Sequence, residues 1–167
     1  MPDKETIARA KRDEREGKSP GTQAGEFVRE EMDHIREGKH GARSTQQAIA
    51  IGLSKARRAG VDLKAPAAGK ASPETRRNAQ RDRRKGQSAA AAKPPSATRS
   101  RAASKALQRE SGAAASPAAL SRQAKSAAAK RTAADRSKSA REAARTKGPA
   151  ERSAAARKAA RTRARET

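Results

Sequence analysis

Residues 44 to 61 read Ser44-Thr45-Gln46-Gln47-Ala48-Ile49-Ala50-Ile51-Gly52-Leu53-Ser54-Lys55-Ala56-Arg57-Arg58-Ala59-Gly60-Val61. Ser44 and Gln47 stand in capping-box spacing, where a hydroxyl accepts from the backbone N–H three residues on. Ile49, Leu53 and Ala56 share one helical stripe, Ile51 lies off it, and Gly60 followed by Val61 is placed like a Schellman ending. The segment predicts a complete helix with a start, a buried face and a stop. Two more helices are expected before it, because Gly17, Gly38 and Gly60 each follow a helix-like run. In the second, Phe27, Val28, Met32 and Ile35 recur at helical spacing, with Glu30, Glu31, Asp33 and Glu37 elsewhere on the cylinder. The first, about Lys4 to Glu16, has Asp3 as a cap but only Ile7, Ala8 and Ala10 as an apolar face. It is expected to fray. Phe27, Val28, Met32, Ile35, Ile49 and Leu53 are the expected core of an all-α head over residues 1–64.

Beyond Leu63 the composition changes to Ala, Lys, Arg, Ser and Pro. Residues 65–167 hold 27 Lys and Arg against 7 Asp and Glu, a net +20 of the chain's +23, and Leu107 and Leu120 are their only large apolar side chains. Of the roughly 55 hydrophobic residues 42 are alanine, and Leu, Ile, Val and Phe number 11 of 167. Such a chain lies in the compositional range of disorder. Residues 65–167 are therefore expected to form a basic, low-complexity, largely disordered tail that becomes helical conditionally. Ser72-Pro73 opens one potential helix that Gly86 could close, and Ser116-Pro117 opens another that Gly148 could close. Dense like charge opposes both in water, so folding on contact with phosphates is the expectation.

The tail also repeats at 16 residues. Arg136-Ser137, Ala140-Arg141, Ala143-Ala144-Arg145-Thr146 and Lys147 match Arg152-Ser153, Ala156-Arg157, Ala159-Ala160-Arg161-Thr162 and Arg163, and a fainter copy begins near Ser121. Sixteen residues fall short of a solenoid unit, which predicts an array of charge motifs over about 121–165.

Chemistry is narrowed chiefly by what is missing. There is no cysteine, tryptophan or tyrosine, hence no thiolate nucleophile, no zinc knuckle and no aromatic platform for stacking bases. His34 and His40 are the only imidazoles, and six residues with an intervening Gly38 do not place two ligands on one helix face. They read as surface or capping residues, and neither a metal, a cofactor nor a catalytic set is expected. Gly38-Lys39-His40-Gly41 reads as an inter-helix turn that could touch a phosphate. No stretch approaches the length of a spanning helix, which predicts a soluble, cytoplasmic protein without a membrane partner. Within the repeats Arg141 with Arg145, and Arg157 with Arg161 and Arg165, fall at helical spacing. Arg76, Arg77, Arg81, Arg83, Arg84 and Lys85 form a denser cluster. For any one cluster a solvated charge run is the plainer reading, and the summed charge favours a polyanion. The acidic second helix offers a surface for the basic tail or for self-association.

Gln47 to Gly60, with Gly25-Glu26-Phe27-Val28-Arg29-Glu30-Glu31 and Gly38 to Ser44, resembles a small uncharacterised bacterial family with a Q-A-I-A-I-x-L-S-x-A-R-x-A-G motif, some members of which are labelled plasmid-stabilisation proteins. The resemblance covers about residues 3–65 and implies no catalytic or ligand-binding residue. The tail resembles in composition the arms of histone H1-like bacterial proteins. Together these imply a non-enzymatic, nucleoid-associated protein that binds double-stranded DNA with little sequence preference. RNA is the alternative polymer, and an antitoxin-like or assembly protein whose head binds a protein partner is the alternative function.

Overall fold

The computed structural model describes residues 2–88, 96–146 and 148–166, which hold eight α-helices, one 3-10 turn and no strand. The helices are α1 (Lys4–Arg15), α2 (Pro20–Arg36), α3 (Thr45–Arg58), α4 (Pro73–Gln87), α5 (Ala97–Gln108), α6 (Pro117–Ala129), α7 (Ala133–Thr146) and α8 (Pro149–Glu166), with the 3-10 turn at Gly112–Ala115. The chain divides into two compact units, residues 1–123 and 124–167.

The first three helices end alike. Gly17, Gly38 and Gly60 all have positive φ, and the amide after each donates to a carbonyl five residues back, as in Val61 N to Ala56 O at 3.1 Å. At the start of α3, Ser44 Oγ accepts from Gln47 N at 3.1 Å, whereas the Gln47 side chain reaches Arg43 N at 2.8 Å instead of Ser44 N. α2 lies between α1 and α3, and α4 packs on the far side of α3. α1 is held along its length: Thr6, Ala10 and Asp13 are buried, Ile7 packs beside Phe27, and Arg9 Nε meets Glu26 Oε2 at 2.6 Å. The apolar interior has two parts. Phe27, Ala10, Ala24, Ala56 and Val61 form one, with Ile7 and Leu53 against it, and Met32, Ile35, Ala42 and Ala48 form the other, with Val28 and Ile49 against it.

The expected disordered tail is corrected by the structure. The compact unit runs well past the expected head of residues 1–64: Ala114, Ala115 and Leu120 complete the Met32–Ile35 cluster. The strap that carries them is joined to the loop before α3 by backbone hydrogen bonds, Gly41 N to Leu107 O at 2.9 Å and Ala42 N to Ser111 O at 3.1 Å. Thr45 Oγ1 donates to Ala114 O at 2.6 Å and Arg36 Nε to Ala115 O at 3.2 Å.

The repeats are helices as well. α6, α7 and α8 begin at Pro117, Ala133 and Pro149, successive starts 16 residues apart, so each copy encodes one helix. Alanine propensity and local caps outweigh charge repulsion here. Thr132 Oγ1 accepts from Asp135 N at 3.1 Å while Asp135 Oδ2 accepts from Thr132 N at 3.2 Å, a reciprocal cap that splits the single helix expected between Pro117 and Gly148. Charges also follow the helix dipole: α7 and α8 carry Asp135 and Glu151 in their first turns and Arg145, Arg163 and Arg165 in their last.

Two glycines in helices make opposite predictions. A Cβ on Gly52 of α3 would stand 2.7 Å from Val28 Cα, whereas one on Gly25 of α2 would meet nothing within 4 Å. Gly25→Ala is expected to stabilise by about 0.5–1 kcal/mol. Gly52→Ala is expected to destabilise, because overpacking at about 1–3 kcal/mol outweighs the same propensity gain. Gly41→Ala, whose Cβ would fall 1.9 Å from Glu110 O, is expected to lower the thermal midpoint too, and an unchanged midpoint would show the strap detached in solution.

Candidate nucleic-acid interface

α4 shows how the basic cluster is built. Its inner face carries Ala79 and Asp82, both buried, and Gly86, where a Cβ would lie 1.9 Å from Arg57 O. Gly86 therefore lies inside the helix and permits close packing on α3, and does not stop it. Asp82 is the anchor: Oδ2 accepts from Ser54 Oγ at 2.6 Å and Oδ1 from Arg58 Nε at 2.8 Å. At 100° per residue Arg77, Arg81 and Arg84 fall on the opposite face with Lys85 beside them, and all four are exposed. The remaining two cations of the cluster are used internally. Arg76 Nε donates to Pro66 O at 3.1 Å, and Arg83 Nε meets Asp62 Oδ1 at 2.6 Å.

Next to this interface Arg57 is buried without a carboxylate in contact, its guanidinium donating to the carbonyls of Leu53, Leu63 and Lys64 at 3.1 to 3.4 Å. Burial pushes it below its ordinary pKa, with the charge of Asp82 opposing. It is a structural cation that closes the turn after α3.

In the second unit Arg141 and Arg145 of α7, and Arg157, Arg161 and Arg165 of α8, are exposed. The three α8 arginines form one ridge at intervals of four residues, and Arg152 and Arg163 fall toward the other side of the cylinder. Arg99, Arg101 and Lys105 on α5 are exposed cations too, which motif reading passed over because they belong to no repeat.

The acidic residues of α2 lie against the head's own cations, with Glu30 and Glu31 sharing one. Glu26 pairs with Arg9, Glu30 and Glu31 with Lys55, and Asp33 with Arg29 and Arg36. In the Gly38–Gly41 turn Lys39 is exposed and its Nζ sits 2.8 Å from Glu37 Oε2, which raises the lysine's pKa and lowers the glutamate's, while Gly41 N is bonded to the strap. The two histidines, separated in sequence by a helix end, have ring centroids 6.1 Å apart. The reversal at Gly38 brings them together, and helical periodicity carries no sign of it.

Comparisons with protein-family models, curated proteins and solved structures return no match to this chain. Among the described residues no helix is long and apolar enough to cross a membrane.

Asp82→Ala is expected to cost about 1–3 kcal/mol, since it strips Ser54 and Arg58 of their shared acceptor. Hydrogen exchange should show faster opening of α4 than of α2. Equal effects on both helices would mean that Asp82 does not anchor α4.

Proposed function

We propose that the protein is a non-enzymatic, nucleoid-associated DNA-binding protein that neutralises duplex phosphates with rows of cations on helices. The observation that carries this reading is the exposed row on α4, with Arg77, Arg81 and Arg84 opposite the face packed on α3 and Lys85 flanking them. A solvated charge run needs no such orientation. Here two cations of the cluster are consumed by intramolecular bonds and four remain together on one side.

Affinity in this reading comes from counterion release, which is insensitive to base sequence. Alanine between the arginines keeps α7 and α8 slender, so that a helix of about 10–12 Å fits a major groove of about 12 Å. With no Trp or Tyr and its one Phe buried, the chain offers no Phe, Tyr or Trp platform for base stacking. Cations on two sides of α8 suit bridging of neighbouring duplex segments, and so compaction as well as coating. A role in nucleoid organisation or plasmid maintenance extends this reading through the motif of residues 47–60.

In a gel-shift salt titration with duplex DNA, log affinity is expected to fall linearly with log salt. Replacing Arg77, Arg81, Arg84 and Lys85 by Gln should reduce the slope by about 3 to 4, near 0.9 for each phosphate that is no longer neutralised. Arg83→Gln should change it little, because Arg83 already pairs with Asp62. A salt-independent affinity, or a slope unaltered by the fourfold replacement, would overturn the assignment to α4.

A further inference from the structure

We propose that Glu31, His34 and His40 form a binding site for one first-row divalent cation, with zinc the ion their chemistry suits best. One ligand atom from each residue lies within 4.8 Å of the other two. Two imidazoles and a carboxylate are three of the usual protein ligands of a zinc with an open fourth position. Glu31 and His34 lie one turn apart on α2, and the Gly38 reversal delivers His40.

The buried carboxylate points to a cation. The Glu31 side chain is 1% exposed, and neither of its oxygens has a partner in hydrogen-bond geometry. Lys55 Nζ approaches Oε2 at 2.7 Å, but it also serves Glu30, 3% exposed, at 3.4 Å. Two buried carboxylates thus share one ammonium, and a buried charge left over is costly. The other oxygen, Oε1, faces His40 Nε2 at 3.4 Å. That is long for a hydrogen bond. It equals the separation of roughly 3.3–3.4 Å expected between two ligands of one tetrahedral zinc with bonds of about 2.0–2.1 Å.

Outer partners of the histidines agree with this. His40 Nδ1 lies 3.1 Å from the carbonyl oxygen of Gly41, which accepts only, so this nitrogen is the donor and Nε2 is the one turned to Glu31. His34 Nε2 lies 3.3 Å from Asp3 Oδ2. A carbonyl or carboxylate on the far nitrogen is the usual support of a ligating imidazole. The site would tie the end of α2 to His40, next to the Gly41 and Ala42 amides that hold the strap.

Untagged, chelator-treated full-length protein titrated with zinc chloride tests this by calorimetry and by NMR of the chain's only two imidazoles. One equivalent is expected to bind with a dissociation constant of about 1 µM or lower. Both imidazole signals should shift together and saturate at one equivalent, and the Gly41 and Ala42 amides should gain exchange protection. Glu31→Gln should weaken binding at least about tenfold. No heat and no shifts would overturn the site, leaving Lys55 as the cation beside Glu31. A response from one imidazole alone, or a folded Glu31→Gln protein binding as tightly as the parent, would overturn it as well. If Glu31→Gln fails to fold, the paired imidazole response of the unaltered protein decides.

Discussion

The crossing of α2 and α3 at Gly52 is the contact on which the first unit depends. With no Cβ on Gly52, the backbone at Phe27 and Val28 comes close enough that even a methyl group would overlap it. This proximity places Lys55 beside Glu30 and Glu31 and sets Phe27 against Ala56, and so joins the polar and apolar interiors of the bundle. A chain with so few bulky apolar residues has little other means of packing, since Leu, Ile, Val and Phe together number 11. It brings backbones close and fills the remaining space with alanine, gaining dispersion energy in place of large side-chain burial. Gly86 against Arg57 and Gly41 against Glu110 repeat the same device at α4 and at the strap.

That device explains which parts of the fold were legible. The helix ends were readable because Ser44, Gly17, Gly38 and Gly60 act locally, through hydroxyl geometry and positive φ, whatever packs around them. The core of α2 and α3 was readable from the stripe of Phe27, Val28, Met32, Ile35, Ile49 and Leu53. The strap was not, because Ala114 and Ala115 are buried but carry no hydrophobic contrast with the alanines around them. Docking through backbone amides, as at Gly41 and Ala42, leaves no side-chain signature either.

The second unit departs from its compositional expectation for a different reason. Summed charge predicts repulsion, but its ordering along α7 and α8 matters more: acid in the first turn and base in the last, with Thr132–Asp135 and Pro149 marking starts. The 16-residue repeat carried this information. Its period is the length of one helix and its linker, and not a pattern of charge laid on a featureless chain. The histidine cluster was hidden by a similar step from line to space, because only the reversal after α2 makes neighbours of His34 and His40.

Electrostatics then divides the molecule by use. In the head nearly every carboxylate of α2 is matched by a cation of the head itself, so that region contributes little field beyond its own surface. From α4 onward the cations outnumber such partners, and where internal bonds exist, as for Arg76 and Arg83, they remove the residues nearest the packed face. What is left faces outward. The helices hold these charges in fixed rows, so little conformational entropy remains to be lost when a polyanion is bound. A flexible tail of equal charge would give a similar salt dependence but would bind with a large ordering cost. In the proposed binding mode, pre-formed helices would make the same phosphate contacts at a lower entropic cost, which is why the packing of glycine and alanine in the head and the affinity expected of the basic rows belong to one argument.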